Sequence, residues 1–507
     1  MREKTTRHKQ PKKENFFYSH WWLILLFLVL LLRIPLLFEP FTYADEGIYL
    51  TLGQALRKGL VLYRDIHDNK PPLLYLVAAL TGSFSVYRLV YFLWGLATIG
   101  VFYRLAAILF LKNQKAIITS TSLFAVLTSL PMFEGNIANA ENFMLLPILA
   151  GFYLIFKFLN QPTAKAKFSW PWFTAGLLFS MAVLFKIPAL FDFLAALMIC
   201  LLLIETKTIK TIIFHLFSLM IGFLTPLFST FVFFGLKQAL GQYLTAAFSQ
   251  NLPYLSSWGN SAVEISGFSL SFIFRLLFLT LLLIILFIFR QKLSLAFKII
   301  IIWFSTSAFA ALLSIRPYPH YLLQILPSFS LSFGLIFLKE NKLVKVIPLI
   351  LLLFFIFIFK FFNFWYYPNW AYFKNFYQYA LKIENKQNYL AYFGPQTKSL
   401  YQTADFIRTH TSPEEKIFIW GNQPSIYALA RRLPVGRYTV AYHIIDFKAQ
   451  TETLNVLRFQ PPRWLIVSQD ENQAFPQLED FINDDYLLFQ KYGQLQIFYR
   501  LPKISQL

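Results

Sequence analysis

Residues Asp45–Pro72 read DEGIYLTLGQALRKGLVLYRDIHDNKPP and stand between two long apolar runs. Asp45, Glu46, Arg57, Lys58, Arg64, Asp65, His67, Asp68 and Lys70 all fall inside this stretch, in a chain of 507 residues that is only 14% charged. A soluble domain carries roughly 25% charged residues. The deficit, together with 57% hydrophobic residues, 59 Phe and a mean hydropathy of +0.52, indicates a polytopic α-helical membrane protein. The charged stretch is then a loop through which the chain leaves the bilayer and returns.

Immediately before it lies WWLILLFLVLLLRIPLLF, about 21–38. This run is longer than the apolar part of a signal peptide and no A-x-A site follows, so it reads as the first transmembrane helix. The basic residues 1–20 read as a cytoplasmic tail. After the loop, apolar segments recur at about 84–111, 116–132, 143–160, 172–185, 187–204, 212–234, 267–289, 296–314, 322–338 and 344–362, which makes about 11 transmembrane helices with the first. Lys112 and Lys115, Lys157, Lys165 and Lys167, Lys207 and Lys210, Arg290 and Lys292, and Lys339, Lys342 and Lys345 all fall in alternate loops, on the side of the basic tail. Lysine and arginine mark cytoplasmic loops, so the N-terminus is expected inside and the C-terminus outside. A membrane domain then spans 21–362, with outer loops at 39–82, 131–143, 235–266 and 315–321.

The last part of the chain, 363–507, differs in composition. WYYPNWAYFKNFYQY forms an aromatic belt, and from about 395 polar residues appear at soluble frequencies. Residues 397–410 and 425–432 read as helices, 416–421 and 463–469 as strands, and 487–500 as a hairpin turning at Tyr492-Gly493. The expectation is a small C-terminal extracytoplasmic α/β domain.

Composition also excludes. The net charge of +21 is that of a nucleic-acid binder, but no groove-reading motif accompanies it. The single cysteine, Cys200, rules out a disulfide within the chain. No HExxH, Walker A or GxGxxG pattern is present.

The remaining chemistry lies in the outer loops. Asp45-Glu46 is either a solvated pair or a general base or metal ligand. In Asp68-Asn69-Lys70-Pro71-Pro72 the prolines lock the backbone and hold Lys70 at the interface, where it either anchors the chain or pairs with a lipid phosphate. Asn136, Asn139, Glu141 and Asn142 offer donors and acceptors suited to sugar hydroxyls, and equally suited to a helix N-cap. Arg316, His320 and Tyr321 in RPYPHY meet either headgroups or a phosphate. Lys186, between two short apolar segments, needs water or an anion. Arg33 either snorkels to headgroups or faces a polar cavity. The middle of the first loop, Leu50 to Ile66, reads as an interfacial helix whose Arg57, Lys58 and Arg64 contact headgroups.

The order of these pieces carries a resemblance. An Arg-bearing first helix is followed by DEGIY, KPPLLY, a loop ending in AEN, an LLFK break, RPYPHYLLQILP and IFIWGNQPSIY. This resembles the bacterial polyprenyl-phosphate-dependent glycosyltransferases of the GT-C fold, relatives of the protein O-mannosyltransferases and of the aminoarabinose transferase acting on lipid A. The resemblance covers about 20–365 and, more loosely, the tail. It implies an inverting transfer from a polyprenyl-phosphate-linked sugar donor to a hydroxyl of a lipid, glycan or protein acceptor, at the outer face of a bacterial inner membrane.

By the same resemblance Asp45 is the catalytic base. Lys70 offsets the leaving phosphate, with Arg316, His320, Tyr321, Lys186 and Arg33 as helpers, each well-placed group being worth ~3–4 kcal/mol. Glu46, Asp68, Asn139, Glu141 and Asn142 are left as candidates for sugar, acceptor or metal contacts. The donor arrives in the membrane, so no nucleotide fold is needed. No cofactor is required, although a divalent cation is left open. One departure stands out: the aminoarabinose branch has an acid immediately before the KPP lysine, whereas this chain has Asn69, with Asp68 one residue earlier. That sets the chain nearer the general bacterial members. The alternatives are a transporter of lipid-linked saccharides, which would place charges at the bilayer midplane in paired halves, and a receptor that uses the C-terminal domain.

Overall fold

The computed structural model describes residues 16–159, 168–202, 209–250, 264–265, 268–288, 290–313, 318–339, 342–361 and 368–502. Arg316 and most of the loop QNLPYLSSWGNS lie outside the described residues.

The apolar runs fold as helices. They are α1 (Phe16–Arg33), α4 (Phe84–Leu109), α5 (Gln114–Leu127), α6 (Ala140–Phe158), α7 (Trp170–Phe185), α8 (Leu190–Leu202), α9 (Ile209–Leu236), α10 (Leu270–Ile288), α11 (Leu295–Ala311), α12 (Leu326–Gly334) and α13 (Lys342–Phe361). Among the described residues five helical stretches are long and apolar enough to cross a membrane: His20–Leu37, Phe84–Leu109, Ala140–Phe158, Lys210–Leu236 and Val344–Phe361. Six further apolar helices are shorter, at 10–17 residues. Their outward faces are apolar too, with Trp22, Ile24, Phe27, Phe228 and Phe357 all exposed, a surface suited to hydrocarbon rather than water.

Local chemistry sets the ends of these helices. Ser83, Asn113 and Asn139 cap α4, α5 and α6, each accepting a backbone N–H from three residues on. Lys186 interrupts the helix pair as the sequence suggests: its backbone is extended, and a short 3-10 turn at Ile187–Ala189 leads into α8.

Within the first loop the structure corrects the expected helix. α2 (Ala44–Arg57) begins six residues before the Leu50 start expected for it, and ends well before Ile66. Its first turn carries Asp45 and Glu46, where carboxylates meet the positive end of the helix dipole. Gly59, at φ +83°, turns the chain away just after the helix. Nor does α2 lie on headgroups. It is wedged between α3 (Leu73–Thr81) and the helix Ser425–Ala430 of the C-terminal unit. A β-carbon on Gly47 would sit 2.5 Å from the Ser425 nitrogen, and one on Gly53 would sit 2.6 Å from the Ala78 carbonyl carbon. Lys58 instead donates to the Pro413 carbonyl and pairs with Glu414, while Arg64 pairs with Asp65 and donates to the Lys237 carbonyl.

The C-terminal unit carries a four-stranded sheet. β1 (Phe418–Trp420) runs parallel to β2 (Trp464–Ser468), and the hairpin of β3 (Tyr486–Tyr492) and β4 (Leu495–Arg500) joins β2 through β4, giving the order β1-β2-β4-β3. Both strands and the hairpin turn at Gly493 fall where their sequence patterns put them. The helices Asn369–Ala380, Ala441–Asp446, Gln450–Phe459 and Pro476–Asp485 have no counterpart in that reading. The unit has its own apolar cores, yet Ala428, Leu433 and Val440 belong to the core of the helical part.

One buried ion pair holds the node where these parts meet. Arg88 and Glu46, 1% and 0% exposed, approach to 2.5 Å. Arg88 also donates to the carbonyl of Glu39, and the Ala138 N–H donates to Glu46 at 3.1 Å. Removing one partner strands the other charge inside. Arg88→Met is therefore expected to cost about 3–5 kcal/mol. Thermal unfolding of the detergent-solubilised variant measures this, and a wild-type midpoint would contradict the anchoring role.

Candidate active site

Asp45 and Lys70 meet at the mouth of the first loop, with Asp45 Oδ2 3.4 Å from Lys70 Nζ. One turn along α2, the Tyr49 hydroxyl donates to the same carboxylate at 2.8 Å, and the Tyr49 ring lies 5.1 Å beneath the ammonium. Pro71 and Pro72 lead straight into α3, so Lys70 sits at a rigid corner. Tyr63 donates to the Lys70 carbonyl at 2.8 Å, and the Tyr75 hydroxyl accepts the Lys70 N–H at 3.2 Å. Tyr75 also donates to Asp68 Oδ2 at 2.7 Å, and that oxygen lies 3.8 Å from Lys70 Nζ. Asp68 is buried, at 1% exposure, whereas the Asp45 and Lys70 side chains remain 27% and 19% exposed. A ligand can therefore reach Asp45 and Lys70, and Asp68 lies behind them.

A second cluster faces this one. Lys186, from the break after α7, pairs with Glu141 in the first turn of α6, and its ammonium lies 4.2 Å over the Tyr321 ring. His320 sits between two carboxylates, Nδ1 2.7 Å from Glu134 and Nε2 3.4 Å from Glu141. The Tyr43 hydroxyl donates to Glu134 at 2.7 Å, which ties this cluster to the residue preceding α2. The clusters share one field. Burial would raise the pKa of Asp45, but Lys70 and the Tyr49 hydroxyl, with smaller contributions from the second cluster, outweigh it and hold the carboxyl below the usual aspartate range. Asp45 is thus a carboxylate at neutral pH, partly open, with Lys70 beside it, whereas burial and the neighbouring Lys70 push the pKa of Lys186 well below the usual lysine range. That combination suits proton acceptance beside an anion. Among the described residues no group of three or more His, Cys, Asp or Glu side chains is arranged to hold a metal ion.

Of the residues singled out in the sequence, Asp45, Asp68, Lys70, Glu141, Lys186, His320 and Tyr321 come together here. Others point elsewhere. Glu46 is turned inward to Arg88 and has no exposed surface. Arg33 neither snorkels nor joins these clusters: it donates to Ser129 Oγ at 3.0 Å and to the Thr128 carbonyl at 2.9 Å, pinning α1 to the end of α5. Asn139 caps α6, and the Asn142 amide donates to the Glu134 and Ile137 carbonyls, so these two shape the loop that presents Glu134.

Sequence reasoning missed Glu134, Tyr43, Tyr49, Tyr75 and His443. Glu134 did carry a signal, as a lone acid before a glycine in a short loop, and it adopts φ +55°. His443 carried none. It belongs to the C-terminal unit, yet its Nε2 lies 3.5 Å from Asp68 Oδ1.

Apolar helices, five of them long enough among the described residues to cross a membrane, and the sheet-bearing C-terminal unit together make a fold that solved structures share. ArnT from Cupriavidus metallidurans bound to undecaprenyl phosphate is similar at TM-score 0.55 and 12% identity, over 96% of this chain and 99% of that one. Its apo state is similar at TM-score 0.55 and 12% identity, over 95% and 98%. The apo oligosaccharyltransferase from Archaeoglobus fulgidus reaches TM-score 0.49 at 14% identity, over 90% of this chain and 70% of that one. No family model and no curated relative matches the chain.

Beneath the site, Glu39 is buried against the same node and accepts from Asn136 Nδ2 at 2.8 Å and the Tyr372 hydroxyl at 2.9 Å. Burial, opposed by Arg88, raises its pKa from 4.5 to about 7. The folded state then holds a proton that the unfolded chain releases between those values, so stability falls as pH rises through that window. The loss amounts to about 3 kcal/mol by pH 7.5. Unfolding midpoints measured from pH 4.5 to 7.5 should decline in the wild type and flatten in Glu39→Gln. Equal slopes would show that Glu39 does not titrate in this way.

Proposed function

We propose that this protein is an inverting glycosyltransferase that moves a monosaccharide from a polyprenyl-phosphate donor to a hydroxyl of a cell-envelope acceptor. The observation that carries this reading is the half-open Asp45–Lys70 pair, a base and a cation side by side in the first outer loop, with the Lys186 cluster facing it. The GT-C fold, shared with a protein solved with undecaprenyl phosphate, supports the donor class.

In this mechanism Asp45 takes the proton from the acceptor hydroxyl. The resulting oxygen attacks the anomeric carbon from the face opposite the phosphate. The new C–O bond forms as the bond from the anomeric carbon to the phosphate oxygen breaks, and the electron pair leaves with the lipid phosphate. Lys70 meets that charge; Lys186, whose ammonium form burial and Lys70 disfavour in the free protein, gains it from the arriving phosphate, with Tyr321 stacked under it to fix its direction and Arg316 as a further cation. His320, bridged between Glu134 and Glu141, holds the second cluster in register. Glu46, Arg33, Asn139 and Asn142 serve as scaffold. The membrane part carries about 11 spans, with a cytoplasmic N-terminus and the C-terminal unit outside the bacterial inner membrane, on the side where the site opens.

Asp45→Asn is expected to lower transfer by ~10²–10⁴-fold while leaving donor binding near wild type. Lys70→Met is expected to cost ~10²–10³-fold in turnover. Product formation by purified protein, given a panel of polyprenyl-phosphate sugars, is the assay. Because Lys70 does most to hold the Asp45 carboxyl of the free protein below its usual range, the acid limb of wild-type kcat/KM, which reports the free enzyme, lies below the usual aspartate range, and Lys70→Met should move it upward. Undiminished transfer by Asp45→Asn would sink the mechanism.

A further inference from the structure

We propose that His443 is a positioning residue of the donor-phosphate site: it holds Asp68 so that Asp68 aims Lys70 at the lipid phosphate. The C-terminal unit then completes the site instead of only covering it. This rests on the role given to Lys70 above.

The contacts of Asp68 form a closed set behind Lys70. Its Oδ1 accepts the Asn69 N–H at 2.8 Å and faces His443 Nε2 at 3.5 Å. Its Oδ2 accepts the Tyr75 hydroxyl at 2.7 Å and lies 3.8 Å from Lys70 Nζ. Tyr75 and Asn69 belong to the same corner of the chain as Lys70 and move with it. His443 alone refers Asp68 to a separate body. That body is docked at the same spot, since the His67 N–H donates to the Arg437 carbonyl at 2.8 Å, one residue before Asp68.

His443 is itself held. The Ala441 N–H donates to the Gly421 carbonyl at 3.0 Å, and the Tyr442 N–H donates to Asn422 Oδ1 at 3.3 Å. The imidazole stacks on Phe447 at 5.2 Å between ring centroids. These bonds reach back into the WGNQ stretch after β1, so the sheet sets the position of the ring.

Packing alone does not account for an imidazole at this place. His443 is 2% exposed and its Nδ1 is buried without a hydrogen-bond partner. A leucine would fill the same space with no stranded nitrogen. The polar edge toward Asp68 is what the imidazole adds. Burial pushes its pKa down to about 4 against the pull of Asp68, so the ring is neutral and can offer Asp68 one N–H. At 3.5 Å the two atoms stand beyond the ordinary N–H···O distance in the free protein, and contacts of this kind tighten when a site fills.

The test uses the full-length protein in detergent and undecaprenyl phosphate as probe, with affinity and thermal midpoint both recorded. His443→Leu should bind about tenfold or more weakly, the worth of one hydrogen bond to a charged group. His443→Gln, whose amide reaches Asp68, should recover affinity to within about threefold of wild type, under 1 kcal/mol. In an Asp68→Asn background His443→Leu should add no further loss, because its effect runs through Asp68. Wild-type affinity in His443→Leu, with Lys70→Met impaired, overturns the proposal. So does a loss that adds fully to that of Asp68→Asn, which marks a general packing role. If Lys70→Met binds as wild type, the donor-site reading itself falls and this inference with it. Should His443→Leu not fold, His443→Asn replaces it: its amide stops short of Asp68, and wild-type affinity there overturns the proposal equally.

Discussion

The structure turns on one buried ion pair, Glu46 with Arg88. Two charges taken out of water are tolerated only when geometry and further hydrogen bonds satisfy them. Here Arg88 also reaches the carbonyls of Leu36, Glu39 and Pro40, and Glu46 also accepts the Ala138 N–H. The pair therefore ties α2 to α4, to the segment leaving α1 and to the loop that enters α6. Adjacent residues on a helix point about 100° apart. Fixing Glu46 inward fixes the rotation of α2, and that rotation turns Asp45 toward Lys70. Two neighbouring carboxylates thus take opposite duties, one as an anchor and one as a group open to a ligand.

The same node explains why the site draws on distant parts of the chain. Glu134 and Glu141 flank the loop that Glu46 holds, and Tyr43 at the start of α2 bonds to Glu134. In the second cluster, Gln324 donates both to the Pro188 carbonyl at 2.9 Å and to Asp192 at 2.6 Å, fastening the turn that carries His320 and Tyr321 to the break that carries Lys186. The C-terminal unit closes the assembly by laying Ser425 against Gly47. Such contacts bring residues of at least five segments within reach of one another, although none of the segments is long.

Much of the fold was legible in the sequence, because apolar runs, caps and the lysine break are local signals. The strands of the C-terminal unit were legible for the same reason. The start of α2 was misplaced because its first turn is charged, and hydropathy alone reads DEGIY as loop. Within the site, Asp45, Lys70, Lys186 and His320 stood out as charges in a chain that has few. Charge alone could not separate Glu46 from Asp45 or move Arg33 from a cavity to the end of α5, because direction around a helix depends on partners far away in sequence. The tyrosines and His443 gave no local sign, since their roles exist only once the segments meet.

The contact between Asp45 and Lys70 has a chemical consequence under the glycosyltransferase reading. In the free protein Lys70 is shared between Asp45 and Asp68, and this keeps Asp45 a weak base. A lipid phosphate arriving at Lys70 would offer it a stronger partner. As the ammonium turns toward the phosphate, Asp45 loses its largest stabilising charge while burial continues to penalise its ionised form. Its affinity for a proton then rises at the moment when an acceptor hydroxyl is to be deprotonated. The donor would switch on the base, and a carboxylate without a bound donor would remain inert. Asp68 keeps the ammonium from leaving altogether. A lysine held by two carboxylates, one open and one buried, can release the first while the second keeps it in place.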